Sequence, residues 1–543
     1  MIKILERRPI LSILVATVVM LGFTADVIPV SIMEARNFIS AREMLTDDHW
    51  ILTTMNGEAR YQKPPLPTWL TALFGALFGM TSVLALRWPA LIFLALTSIS
   101  VYLLSKRIGF SKAQSLINGF VALTSFYIIA ITIEAPWDIY THGFMILAIY
   151  MVFKIFRAQT FLLKEAFFFV VFIACSVLSK GPVSRYALFL PFLLAYGIVY
   201  KLPLKRGVFL KVISCLMVGL ILGGAWYVYV RLEDPETFTK IATRETSNWS
   251  SYNVRPFYYY WSFFVQSGLW TIFALASLAY PYLKHKVFNK QAYKFSFLWT
   301  ILAVVLLSLI PEKKSRYLMP VLIPLALTIG FYLEYVMRAF KEKFSKSERL
   351  PVQIQFGIVA IIALCFWLSA FFIKDIASEK YLLRFIITSI IFFSIGLFVI
   401  ISLKRQSIKT TFYLSILFMI CLGFFGLPLI HSQKQIHYKS LSHLKSNPTP
   451  LYHVGYIAPE VIYDYGGKIP EVSINDDTMP YKASEFNLLT YDLDPEQLNL
   501  WSQNYHIEFV GTYDLNFSSK DRRGYKKRLV NQLYHLQRKR ISE

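Results

Sequence analysis

Cysteine is scarce in this chain, with four in 543 residues: Cys175, Cys215, Cys365 and Cys421. Each lies in an apolar run and no two form a CxxC pair. Neither a disulfide framework nor a thiolate metal site is supported. Charge is also thin. Only 16% of residues are Asp, Glu, Lys or Arg, against roughly 25% in ordinary soluble domains, which argues against a soluble globular protein. Acidic residues are the rarer sign, 33 against 56 Lys and Arg, for a formal charge of +23. No basic patch with interleaved aromatics occurs in a polar segment, so the excess does not point to nucleic acid. It fits a membrane protein, whose cytoplasmic loops collect Lys and Arg. Internal repeats and low-complexity tracts are absent as well.

What fills the chain is hydrocarbon: 55% hydrophobic and 16% aromatic residues. A membrane span needs about 20 apolar residues. Candidates fall at roughly 9–29, 87–104, 114–133, 138–156, 165–180, 185–200, 208–230, 259–282, 293–310, 317–338, 353–373, 382–403 and 410–430. The fold class expected is an all-α polytopic membrane protein of about 13 transmembrane helices. The start, MIKILERRP before an apolar run, resembles a signal peptide but is followed by no convincing small-residue cleavage site. It reads as a retained first helix. Thirteen spans with the N-terminus inside put Lys3, Arg7 and Arg8, Lys106 and Arg107, Lys154 and Arg157, Lys284 and Lys286, and Lys404 and Arg405 on the cytoplasmic side. The apolar run Leu66–Met80 is short and follows Pro64, Pro65 and Pro67. Counting it as a span would move most of these clusters outside, so it is expected to be an amphipathic or re-entrant surface helix.

Between the first two spans, residues 29–86 hold the densest chemistry: Glu34, Arg36, Arg42, Glu43, Asp47, Asp48, Glu58, Arg60 and Lys63. Irregular charged backbone is excluded from hydrocarbon, so this loop lies outside the bilayer, on the extracytoplasmic side by the charge count. From about residue 431 the composition changes. Short apolar alternations near 450–455, 470–474, 486–492 and 506–513, with helical segments near 435–446, 457–465 and 495–503, predict a soluble extracytoplasmic α/β domain over 431–543 following a membrane domain over 1–430.

Several outer residues point to chemistry. Glu34, near the end of the first span, can accept a proton from an incoming hydroxyl; as a lone residue it also suits an exposed helix-end ion pair. Asp138 begins a span in IEAPWDIYTHGF, and acidic residues beside spans are costly to keep unless functional. His142 follows one turn later, and a hydrogen-bonded histidine is the simpler reading of it than a metal ligand. Lys63 precedes a rigid Pro run and suits an anion such as phosphate. Lys180, Arg255, Lys313 and Arg316 place cations on the face the positive-inside bias depletes. They read either as interfacial snorkelling or as a cationic site for a lipid phosphate. Glu245 and Tyr317 complete the outer polar set.

These pieces together resemble the polyprenyl-phosphate-sugar-dependent membrane glycosyltransferases of GT-C type, the group of the aminoarabinose transferases and protein mannosyltransferases. The resemblance is carried by EARNFISAREML, HWILTTMNGEARYQKPPLPTWL, LRWPAL, LSKGPV, RETSNWSSYNVRPFYYY and KKSRYLMPVLIPLAL, in that order over about residues 30–330. It implies a helical fold with catalytic outer loops and inverting transfer of a sugar from a polyprenyl-phosphate donor to a lipid, glycan or protein acceptor. The expected setting is a bacterial inner membrane. The family's first loop usually carries an Asp-Glu pair; here the positions are Met33 and Glu34. Asp138 matches the second acidic position, and Lys63 the lysine near the donor phosphate. Arg36, Lys180, Glu245, Arg255, Lys313, Arg316 and Tyr317 are the further substrate contacts expected. Positions able to bind metal in the aminoarabinose branch are Gln62 and Thr246 here, so no metal or other cofactor is carried over, although a divalent ion stays compatible with the chemistry. The rival readings are a transporter or lipid flippase, or an O-antigen-ligase-like enzyme.

Overall fold

The computed structural model describes residues 2–202, 206–341, 344–373, 375–434, 438–472, 484–491 and 495–539. Among the described residues, nine helices are long and apolar enough to cross a membrane, or ten if the pair Lys112–Leu123 and Phe126–Glu134, bent by 48°, is one span. Three expected spans take other forms. Leu163–Lys180 is a helix of 18 residues that carries Lys164, Glu165 and Lys180 within that short length. The apolar helix over Arg185–Tyr200 is short. Residues 259–282 are broken into 3-10 turns and short helices, at Gly268 (φ +62°) and ahead of Pro281. At Gly268 a Cβ would lie 2.4 Å from the Phe126 Cβ, so the chain crosses there because nothing projects.

Leu66–Phe78 is a 13-residue helix starting in the Pro run. At 1.5 Å per residue it is about 20 Å long, short of the roughly 30 Å hydrocarbon core. Before it, Ile32–Thr46 forms a helix opened by a capping box: the Ser31 hydroxyl accepts from the Glu34 N–H at 3.1 Å and the Glu34 carboxylate accepts from the Ser31 N–H at 3.0 Å. A two-stranded hairpin follows, β1 (Thr54–Met55) and β2 (Glu58–Ala59), turning at Asn56-Gly57.

Beyond the last apolar helix, β3 (Leu451–Val454), β4 (Glu485–Thr490), β5 (Tyr505–Asp514) and β6 (Val530–Arg538) form one mixed sheet in the order β3-β4-β6-β5. Strands β3 and β4 are parallel and the other pairs antiparallel. Helices Pro459–Tyr465 and Pro495–Asn504 complete the unit. Of the strand expected at 470–474, residues 471–472 make a single bridge, Glu471 to His453, and 473–474 lie outside the described residues. Strand β6 lies beyond the last strand expected, 506–513. One core cluster joins Leu441, Val461, Ile462, Ile469, Leu489 and Leu533 of this unit to Ile39 of the Ile32–Thr46 helix. The sheet unit is therefore seated on the polar loop.

Candidate active site

Asp138 occupies the first turn of the Pro136–Ala158 helix, and Lys180 is the last residue of Leu163–Lys180. The helices pack side by side, which brings the two charges into a buried ion pair, with Asp138 only 3% exposed. His142 Nε2 stands 4.0 Å from the Asp138 carboxylate, one turn along, and its Nδ1 has no hydrogen-bond partner among the described residues. Arg316 is a further charged neighbour of Asp138. Its Nε is also buried and unpartnered among the described residues. Tyr317 lies beneath the cations, its ring centroid 5.3 Å from the Lys180 ammonium, 5.7 Å from that of Lys314 and 5.9 Å from the Arg316 guanidinium.

Lys63 enters from the polar loop. It faces Glu245 at 3.8 Å, and its other charged neighbours are Lys180, Arg60 and Asp138. Burial, reinforced by the like charges of Lys180 and Arg60, pulls its pKa down to about 8. The buried Arg60 guanidinium lies 5.2 Å from the Trp137 ring centroid. Arg36 is held below its ordinary value by burial first and also by Arg316 and Arg528. Lys63, Arg60, Arg36, Lys180 and Arg316 thus share one region with three acids, Asp138, Glu245 and, beside Arg36, Glu460. The surplus of positive charge suits a phosphate.

The remaining expected residues fall elsewhere. Glu34 is 1% exposed, and both its oxygens accept from Arg87, Oε1 from Nε and Oε2 from Nη2, each at 2.7 Å. One of them also caps Ser31. Arg87 further donates to the carbonyls of Ala25 and Ile28. Glu34, read from the sequence as a candidate base, thus sits in a buried pair with Arg87, its carboxylate accepting three hydrogen bonds. Lys313, expected as a substrate contact, is engaged by protein carbonyls. It is 4% exposed, and its ammonium donates to the carbonyls of Ile310 at 2.6 Å and Arg255 at 3.0 Å. It fastens two loops already joined by backbone bonds between Arg255 and Pro311 and between Lys313 and Asn253. The Arg255 side chain is exposed on those loops.

Two residues of weight were not foreseen, Arg60 as a member of the cluster and Arg87 as the partner of Glu34. Among the described residues, one group has metal-ligand atoms within 4.8 Å of one another: Glu43, Asp47 and His49. Protein groups already engage it. Glu43 accepts from Thr54 Oγ1 at 2.6 Å and from the Asn56 N–H at 2.7 Å, Asp47 pairs with Lys468 at 3.0 Å, and His49 Nδ1 contacts Thr54 Oγ1 at 2.8 Å.

Residues 62–223 match the family of dolichyl-phosphate-mannose-protein mannosyltransferases. The chain is 27% identical over 302 residues to an uncharacterized protein of Aquifex aeolicus, covering 54% of this chain and 57% of that one. It is 21% identical over 339 residues to the undecaprenyl phosphate-alpha-4-amino-4-deoxy-L-arabinose arabinosyl transferase 2 of Proteus mirabilis, covering 61% and 60%. These matches thus span less than two thirds of the curated relatives. In three dimensions the chain superposes on ArnT from Cupriavidus metallidurans bound to undecaprenyl phosphate with a TM-score of 0.68, at 15% identity and 96% coverage of both chains. The apo form of that protein gives 0.65. The chain thus shares the fold of that protein over nearly its whole length.

Proposed function

We propose that this protein is an inverting glycosyltransferase that moves a sugar from a polyprenyl-phosphate donor to an acceptor hydroxyl at the outer face of a bacterial inner membrane. The observation that carries the reading is the convergence of Lys63, Arg60, Arg36, Lys180 and Arg316 around a buried Asp138. The acceptor oxygen attacks the anomeric carbon as the bond from that carbon to the phosphate oxygen breaks. The hydroxyl proton passes to Asp138 and the polyprenyl phosphate leaves with the electron pair. Cations fixed at the phosphate stabilise the charge that develops on it, and they do so best when they need not reorganise. Lys63 and Lys180 are the groups nearest to that role. Asp138 is favoured as base over Glu34, whose two oxygens already accept three hydrogen bonds from Arg87 and the helix cap.

The donor's hydrocarbon tail needs an apolar path. The helix that follows Lys63 leads to an apolar cavity of about 550 Å³ lined by Phe74, Phe78, Leu84, Trp88 and Ile92. By the positive-inside bias, the N-terminus is cytoplasmic and the cluster, with the sheet unit, extracytoplasmic. A transporter is disfavoured because its charges would sit mid-span at a repeat interface, whereas Asp138 and Lys180 lie at helix ends. The test is incubation of the purified protein with polyprenyl-phosphate sugars and measurement of released lipid phosphate. Release that Asp138→Asn and Lys63→Ala each abolish supports the reading. Release by neither the wild type nor either variant, across donors, contradicts it.

A further inference from the structure

The segment Gly466–Ile469 of the sheet unit is fastened to the polar loop at three successive residues. Arg42 donates to the Gly467 carbonyl at 2.9 Å. Lys468 pairs with Asp47 at 3.0 Å. Asn56 grips Ile469 twice, donating Nδ2 to its carbonyl at 2.7 Å and accepting its N–H at Oδ1 at 2.8 Å. Asn56 and Gly57 form the tip of the β1–β2 hairpin with φ of +60° and +83°, the positive values that a two-residue hairpin turn demands and that Asn-Gly supplies. From the opposite side Glu43 accepts the N–H of Asn56 at 2.7 Å and that of Gly57 at 3.3 Å. The tip is thereby held between a buried carboxylate and a peptide unit of the sheet domain. Packing closes the same seam, with the Phe38 and Tyr463 rings 5.4 Å apart. Strand β2 ends at Ala59. The next residue, Arg60, donates its N–H back to Thr53 at 2.8 Å, and Lys63 follows three residues later.

We propose that Asn56 and the Gly466–Ile469 strap are a positioning device by which the carboxy-terminal unit holds the hairpin, and through it Arg60 and Lys63, against the Asp138–Lys180 pair. The inference rests on the reading of that cluster as the donor site, but its geometry needs no donor. A lysine carries several rotatable bonds, so only a fixed backbone keeps its ammonium among Lys180, Arg60, Glu245 and Asp138. Held there, Lys63 titrates at about 8. Released toward water, it returns toward about 10.4.

The experiment follows the pH dependence of Lys63 acylation in the full-length protein in detergent, read by peptide mass spectrometry without donor. Asn56→Gly removes both bonds to Ile469 yet tolerates the positive φ, and Asn56→Ala removes the bonds and strains the turn. For the wild type the midpoint is expected near the value held by burial. In Asn56→Gly it rises by about one pH unit or more, and amide exchange in residues 53–62 accelerates. Lys468→Ala, which deletes an ion pair at the rim, raises the midpoint in the same sense by less, and stands in if Asn56→Gly does not fold. A midpoint and exchange pattern that coincide with wild type in the folded variants would overturn the proposal. Binding of polyprenyl phosphate to Lys63→Ala is measured in parallel. Undiminished binding there removes the donor-site reading, while the acylation midpoint still decides the positioning role.

Discussion

Lys63 is the group whose titration ties the site to a measurable pH dependence. Its displacement from 10.5 to about 8 corresponds to about 3 kcal/mol at 1.36 kcal/mol per unit. Its side chain is 22% exposed, so partial solvent screening reduces the cost to the folded state at neutral pH to roughly 1 kcal/mol. Below pH 8 both the folded and unfolded chains hold the proton. Between pH 8 and 10.5 the unfolded chain binds more protons than the free folded protein, so the stability of the free protein rises with pH through that window. A bound phosphate reverses the local balance, because its negative charge favours the ammonium. Donor binding therefore takes up a proton above pH 8, and affinity falls by up to about tenfold per pH unit there. Lys63→Met should weaken polyprenyl-phosphate binding by about 1.5–3 kcal/mol, the range for hydrogen bonds to charged groups, flatten the pH dependence and leave the free protein more stable. Binding of a fluorescent polyprenyl phosphate in detergent from pH 6.5 to 9.5, with thermal unfolding in parallel, measures both. Wild-type affinity that stays flat across pH 8, or a Lys63→Met variant that binds as well as wild type, would refute the reasoning.

Asp138→Asn keeps the shape of the side chain and removes the proton acceptor, so kcat should fall by about 10²–10⁴ while the donor still binds; single-turnover transfer separates the two. Glu34→Gln leaves Arg87 buried without its counter-charge and should cost about 3–5 kcal/mol of stability, with turnover per folded molecule largely retained. Adding Arg87→Met should recover much of that loss, as thermal unfolding of the single and double variants will show. Gly268→Ala places a Cβ against Phe126 at a positive φ, and is expected to lower stability by about 1–3 kcal/mol; an unchanged melting temperature would count against the close crossing.

Local features were readable in the sequence, and long-range pairings were not. The apolar segments, the polar stretch after the first of them and the Pro-initiated helix at Leu66 follow from hydropathy and proline chemistry alone. So does the mixed α/β character of the tail. Glu34 shows the limit. From the sequence it suits either a proton acceptor or an exposed helix-end ion pair, because its buried partner Arg87 stands 53 positions away. Lys313 is a similar case: the carbonyls it satisfies are set by the seam between residues 253–255 and 311–313. Arg60 was passed over because the ring that receives it, Trp137, belongs to a different helix. In Asp138 and Lys180 the signal was stronger. Each is a charge at the end of an apolar run, costly unless paired, and the helix packing pairs them. Strand β6, VNQLYHLQR, is half polar, so its alternation is too weak to find without the neighbouring strands.

The most direct test of a donor site built around Asp138 and Lys63 is release of polyprenyl phosphate from a radiolabelled polyprenyl-phosphate sugar by the purified wild-type protein, Asp138→Asn and Glu34→Gln, each normalised to folded protein. The account predicts release by wild type, release by Glu34→Gln within several-fold of it, and almost none by Asp138→Asn. Full activity in Asp138→Asn, with loss confined to Glu34→Gln, would contradict it.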